Sequence, residues 1–104
     1  MSAGKIAELE TRLHKVSLSA FDVGSLISTM NNHSWGRDIG NEQRLNCWRA
    51  VDWMKKLIAG KSLLVNVELE CQHNVLEGIA IVAIKDGLED VGQSILRQIA
   101  DGAE

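Results

Sequence analysis

Residues 6–30, with the sequence IAELETRLHKVSLSAFDVGSLISTM, contain an unbroken heptad pattern of apolar residues. Steps of three and four residues alternate along this stretch, which is typical of a helix with a narrow apolar stripe at the a and d positions. The pattern therefore predicts one long helix that begins near residue 2 and ends near residue 31. The apolar positions of the stripe are Ile6, Leu9, Leu13, Val16, Ala20, Val23, Ile27 and Met30.

The predicted helix is longer than its own domain can comfortably cover. It would extend on the order of 43 Å, whereas a compact domain of this size has a radius of gyration of about 13 Å. We therefore predict that the apolar stripe forms the seam of a homodimer. The alternative is that the whole stripe belongs to the core of a single subunit.

The rest of the chain also favours helices. Asn41 is a good N-cap and Gly60 a good C-terminal stop for a second helix. Residues 75–85 are apolar on nearly every side, which predicts a buried central helix, and Asp86 can cap a last helix. The chain contains no proline, in agreement with long helices.

Segment 61–71 is ambiguous. Apolar and polar residues alternate from Val65 to Gln72, as in a strand, but the same segment also has helical spacing and lies between helical neighbours. We assign it as a helix. The sequence thus predicts a single all-α domain, residues 1–104, with three to four helices. The alternative is an α+β fold with a hairpin at 63–84.

The sequence contains no motif of an enzyme or of a metal site. Cys47 and Cys71 are too few for a disulfide framework, and we expect both to be reduced and buried. Cys71 and His73 could begin a metal site only on a strand, and no further residues show ligand spacing. We predict no catalytic residues, no cofactor and no metal.

Charge and hydropathy restrict the partners and the compartment. The formal net charge is −3, and an acidic chain without a basic stripe is a poor binder of nucleic acid. No apolar run approaches the length of a membrane span, and the N-terminus lacks the features of a signal peptide. We expect a cytoplasmic protein that binds other proteins. Its candidate contact residues, besides the seam, are Trp35, Arg37 and Trp53, because Trp and Arg are favoured at interface hot spots.

In length and helical character the chain resembles the QslA-like small bacterial antiactivators, which act on LuxR-type quorum-sensing regulators by disrupting their dimers. The resemblance implies a stoichiometric inhibitor that binds a larger transcriptional regulator and blocks its dimerisation. It implies no role for any single residue. Three other functions remain open. The protein could be a DNA-binding accessory protein, a sensor with a small ligand between segment 75–84 and Trp48, or a phage-type inhibitor of host defence.

Overall fold

The computed structural model describes residues 12–102, which form four helices and a two-stranded sheet. The fold is therefore α+β, and the prediction of an all-α domain is wrong. No helix within residues 12–102 has the length and apolar character needed to cross a membrane. In chain order the elements are β1 (Leu13–Ser19), α1 (Ala20–Ser34), α2 (Asn41–Ile58), β2 (Asn66–Gln72), α3 (His73–Lys85) and α4 (Glu89–Gly102).

The long N-terminal helix of the prediction is replaced, in the described residues, by a strand followed directly by a helix. Burial alternates along β1, where His14, Val16 and Leu18 face the core and their neighbours face outwards. The hydroxyl of Ser19 then accepts a hydrogen bond from the backbone N–H of Asp22 at 3.1 Å. This contact is an N-cap, so the chain changes from strand to helix within one residue.

The residues of the predicted seam consequently do not share one helix face. Those that are buried in the core of this single chain are Val16, Ala20, Val23 and Met30. Ile27 is partly buried against the same core, whereas Leu13 is exposed. Ile6 and Leu9 lie outside the described residues. The four buried side chains are occupied by intramolecular packing, and the homodimer stays a prediction.

The sheet joins the beginning of the chain to its middle. β1 and β2 are antiparallel, with Val16 opposite Leu69 at the centre of the register. Val67 and Leu69 are buried and alternate with exposed residues, so the helix assigned to segment 61–71 is wrong. The hairpin alternative is corrected as well, because the partner of β2 is β1, and residues 75–84 belong to helix α3.

The order strand, helix, helix occurs twice in the described chain. The symmetric register of β1 and β2 places an approximate twofold axis through their centre. α1 packs on α2 in the first half, α3 packs on α4 in the second, and α1 and α3 meet between the halves. A single core lies where these elements converge. Its largest fully buried side chains are Leu26, Met54, Leu69, Leu76, Ile79 and Ile95.

Gly92 allows α3 and α4 to approach closely. A Cβ at this position would lie 2.5 Å from Cγ1 of Ile84 and 2.7 Å from the backbone oxygen of Ala80. The second contact is with backbone, which cannot yield by a change of side-chain rotamer. A glycine is thus required for the observed separation of the two helices, in contrast to Gly24 of α1, where a Cβ would meet nothing within 4 Å.

Candidate functional site

The two halves of the molecule differ in how the second helix of one half meets the strand of the other. α4 lies close along β1, where the backbone N–H of Ser17 donates to Oε1 of Gln98 at 2.8 Å. Nε2 of Gln98 donates in turn to the carbonyl oxygen of Ser17 at 2.9 Å. α2 has the equivalent place beside β2 but stands farther from the strand. The departure from symmetry leaves a groove on the α2 side.

This groove runs between α2 and α3 and has a volume of about 770 Å³. Its walls are mainly apolar, with polar groups along the rim. The apolar lining consists of Met30, Cys47, Ala50, Trp53, Cys71, Val75, Ile79, Ile81 and Val82. Val75 and Ile81 are 36% and 47% exposed, so part of this apolar wall is open to solvent.

The charged groups of the groove lie on its rim. Arg49 is exposed on α2, Lys85 is exposed at the end of α3, and Glu70 of β2 contributes a carboxylate at another part of the lining. The thiol of Cys47 lies in the apolar lining, and its burial raises its pKa. The groove therefore combines a neutral, apolar interior with opposite charges at its margins.

A second cavity, of about 670 Å³, adjoins the groove near the loop between α1 and α2. The two cavities share His33, Gln43 and Lys85. The loop is held by Arg44, whose Nε donates to the carbonyl oxygen of Ser34 at 2.7 Å. Arg37, one of the predicted contact residues, lines this second cavity rather than the groove itself.

The structure separates the tryptophans that the sequence suggested for binding. Trp53 lines the groove, whereas Trp35 is 70% exposed and packs against Trp48 with a ring-centroid distance of 6.0 Å. Trp48 is anchored by a hydrogen bond from its Nε1 to Oγ of Ser34 at 3.0 Å. Because Trp48 is not part of the groove, a ligand held beside segment 75–84 would contact Trp53 instead.

The open positions Val75 and Ile81 and the rim residue Arg49 are not among the contact residues predicted from the sequence. The prediction of a buried central helix at 75–85 holds for Leu76, Ile79, Ala80 and Ala83, whereas other residues of the helix are partly or fully exposed. A helix that is apolar nearly all round keeps a surplus of exposed apolar surface wherever neighbouring elements do not cover it. In the folded chain this surplus faces the groove.

A pair of histidines forms a second polar cluster at the start of the sheet. Nδ1 of His73 lies 3.3 Å from Nε2 of His14, and Nε2 of His73 lies 3.3 Å from a carboxylate oxygen of Glu77. His14 is buried. Burial, first of all, lowers the pKa of His14, and the charges of His73 and Arg12 lower it further. The cluster favours a neutral His14. No group of three metal-ligating side chains occurs among residues 12–102.

Comparison of the chain with protein-family models, with curated protein sequences and with solved structures finds no match. The resemblance to the QslA-like antiactivators stays a prediction.

Proposed function

We propose that the protein is a non-enzymatic binding protein that holds a segment of a larger protein in the groove between α2 and α3. The observation that carries this proposal is the composition of the open groove. Exposed apolar side chains line the groove together with Trp53 and Arg49, and Trp and Arg are among the residue types enriched at interface hot spots. Contiguous exposed apolar surface with a polar rim is typical of interaction sites.

The partner class follows from the resemblance given above. On that basis the partner is a larger transcriptional regulator, which the protein inhibits stoichiometrically by preventing its dimerisation. Full burial of an isoleucine side chain contributes about 1.5–3 kcal/mol. Ile81 is already about half covered in the free chain, so its further burial by a partner contributes about 1 kcal/mol.

Ile81 and Leu45 provide a matched pair of variants to test the groove. Both side chains are apolar, helical and 47% exposed, but only Ile81 lines the groove. The tagged wild-type chain is used to capture a partner from the source cell, and binding of the purified partner is then titrated. Ile81→Arg should weaken binding at least about tenfold, because it places an uncompensated charge in an apolar interface. Leu45→Arg should leave binding unchanged. If both variants bind the partner equally well, the groove is not part of the interface.

A sensor of a small apolar ligand is a second candidate, favoured by the size of the groove. Its volume of about 770 Å³ lies within the roughly 300–1,000 Å³ of small-molecule sites. The chain has three tryptophans, so replacing Trp35 and Trp48 by phenylalanine leaves Trp53 as the only indole. A ligand from a small-molecule extract of the source cell would shift the emission of Trp53. The shift should be absent in Ile81→Arg made in the same background.

A further inference from the structure

The outer edge of β2 carries backbone groups that have no partner in the described chain. Gln98 binds the N–H and the carbonyl of Ser17, so these groups point away from β2. Residues directly opposite each other in an antiparallel ladder share this orientation. Glu68, which lies opposite Ser17, therefore points its own N–H and carbonyl away from β1. The backbone N–H and carbonyl of Glu70, two residues further along, point the same way. Within residues 12–102, the outward-facing backbone groups of Glu68 and Glu70 form no hydrogen bond.

The corresponding edge of β1 shows which kind of group binds outward-facing backbone N–H and carbonyl groups. There the side-chain amide of Gln98 supplies one donor and one acceptor to Ser17. A primary amide has the same hydrogen-bonding groups as a peptide unit. The edge of β1 is thereby closed by a peptide-like group, whereas the edge of β2 opens beside the groove, to which Glu70 and Cys71 contribute.

We infer that the outer edge of β2 at Glu68 and Glu70 accepts an extended segment of the partner as a third, antiparallel strand. This inference rests on the proposed function and specifies how the partner segment is held. Backbone hydrogen bonds to an exposed edge provide affinity in this mode of recognition, and alternate side chains provide specificity. On the inner side of the added strand, the side chains face the apolar lining at Cys71 and Trp53.

Charge determines which segment fits the edge. The side chains of Glu68 and Glu70 are exposed on the outer face of the sheet, where Nζ of Lys15 lies 3.8 Å from Glu70. Opposite charges directly across a strand pair are favourable and like charges are unfavourable. The partner segment therefore alternates Lys or Arg, opposite the glutamates, with apolar residues that face the groove. A second copy of β2 would bring glutamates opposite glutamates, so self-pairing at this edge is disfavoured.

The test uses the capped synthetic peptide Lys-Val-Lys-Val-Lys-Val and amide hydrogen exchange measured by NMR on the full chain. In the free protein the amides of Glu68 and Glu70 should exchange rapidly. At a peptide concentration about tenfold above the dissociation constant, their exchange should slow about tenfold, because the amides are free only in the unbound fraction. The amide of Ser17, already bound to Gln98, serves as the internal reference and should not change.

Two methylated peptides distinguish edge pairing from charge attraction alone. Methylation of the lysine backbone nitrogens removes donors that face β2 and should abolish protection of Glu68 and Glu70. Methylation of the valine nitrogens, which point away, is the matched control and should preserve it. The double variant with Glu68→Lys and Glu70→Lys should instead prefer the peptide Glu-Val-Glu-Val-Glu-Val. Equal protection by both methylated peptides, or none with the unmodified peptide, would overturn the inference.

These results are separable from the test of the groove. If Ile81→Arg weakens binding of the partner but no peptide protects Glu68 and Glu70, the proposed function holds and strand addition is refuted. If the peptide protects both amides while Ile81→Arg binds the partner normally, strand addition is supported and the groove is refuted as the partner's site.

Discussion

The amide of Gln98 closes the edge of β1, and its removal should have a measurable cost. Gln98→Ala eliminates the two hydrogen bonds to Ser17, at 2.8 and 2.9 Å. Each neutral hydrogen bond contributes about 0.5–1.5 kcal/mol net. Both bonds are exposed to solvent, so water replaces part of what is lost. We expect the free energy of unfolding to fall by about 1–2 kcal/mol.

Urea unfolding followed by circular dichroism measures this change. A slope of about 1 kcal/mol per molar urea, at the low end for small proteins, converts the loss into a midpoint lower by about 1–2 M. The amide of Ser17 should also exchange faster. The matched control is Gln93→Ala, on the same helix and exposed, which makes the same change in helix propensity without touching β1. If the two variants have equal stability and the Ser17 amide exchanges as in the wild type, Gln98 does not close the edge.

Three further predictions concern packing, pH and thiol reactivity. Gly92→Ala should lower the free energy of unfolding by about 1–3 kcal/mol, because the methyl group overlaps α3, whereas Gly24→Ala should raise it by about 0.5–1 kcal/mol. The free energy of unfolding should fall as pH decreases from about 7 to about 5, because the unfolded chain protonates His14 more readily than the folded chain does, with a slope of at most about 1.4 kcal/mol per pH unit from this residue. His14→Gln should reduce that slope. Finally, with Cys71 replaced by serine, the remaining thiol of Cys47 should react slowly with iodoacetamide in native protein, because it is buried and its pKa is raised.

Each of these predictions has a result that would contradict it. Equal stability of Gly92→Ala and Gly24→Ala would mean that α3 and α4 separate without cost. A pH slope unchanged by His14→Gln would assign the dependence to other groups. For the thiols, the reciprocal variant Cys47→Ser leaves Cys71, which is only half-buried. If the two single-cysteine variants react at the same rate in the native state, burial does not control the reactivity of Cys47.

Helices with strong local end signals could be predicted from the sequence. For α2, Gly60 lies just beyond the helix end with a φ of +73°, a conformation that favours glycine. At the other end the prediction is wrong by one residue, because the N-cap is Gly40 and Asn41 is the first residue of the helix. The apolar segment 75–85 nearly coincides with α3, which ends at Lys85. In both cases the information lies within a few residues of the element itself.

β1 could not be recognised in the same way, because two elements of different period join without a gap. Val16 on the strand and Ala20 on the helix happen to keep the four-residue step of a heptad. Alternation along β1 is hidden by His14, a polar residue that is nevertheless buried. Ser19, with its bond to the N–H of Asp22, was the local signal of a helix start that the heptad pattern obscured.

In the candidate site, too, features that depend on nearby residues could be predicted, whereas features that depend on residues distant in the chain could not. Trp53 could be named from the sequence as a contact residue, and it lines the groove. The open edge of β2 could not be predicted from the sequence, because it is recognised by comparison with the edge of β1. That edge is closed through a contact between Ser17 and Gln98, which are 81 positions apart in the chain.

Because each half of the molecule contributes one strand, neither half contains a complete sheet. Within residues 12–102, the strand that pairs with β1 is β2, and the core cluster contains side chains from the helices of both halves. Contacts between residues so distant in sequence slow folding, because chain entropy is lost before the contacts form. Two fragments obtained by cleavage in the connection 59–65 should accordingly remain unfolded alone and recover native structure only when mixed, as a complementing pair.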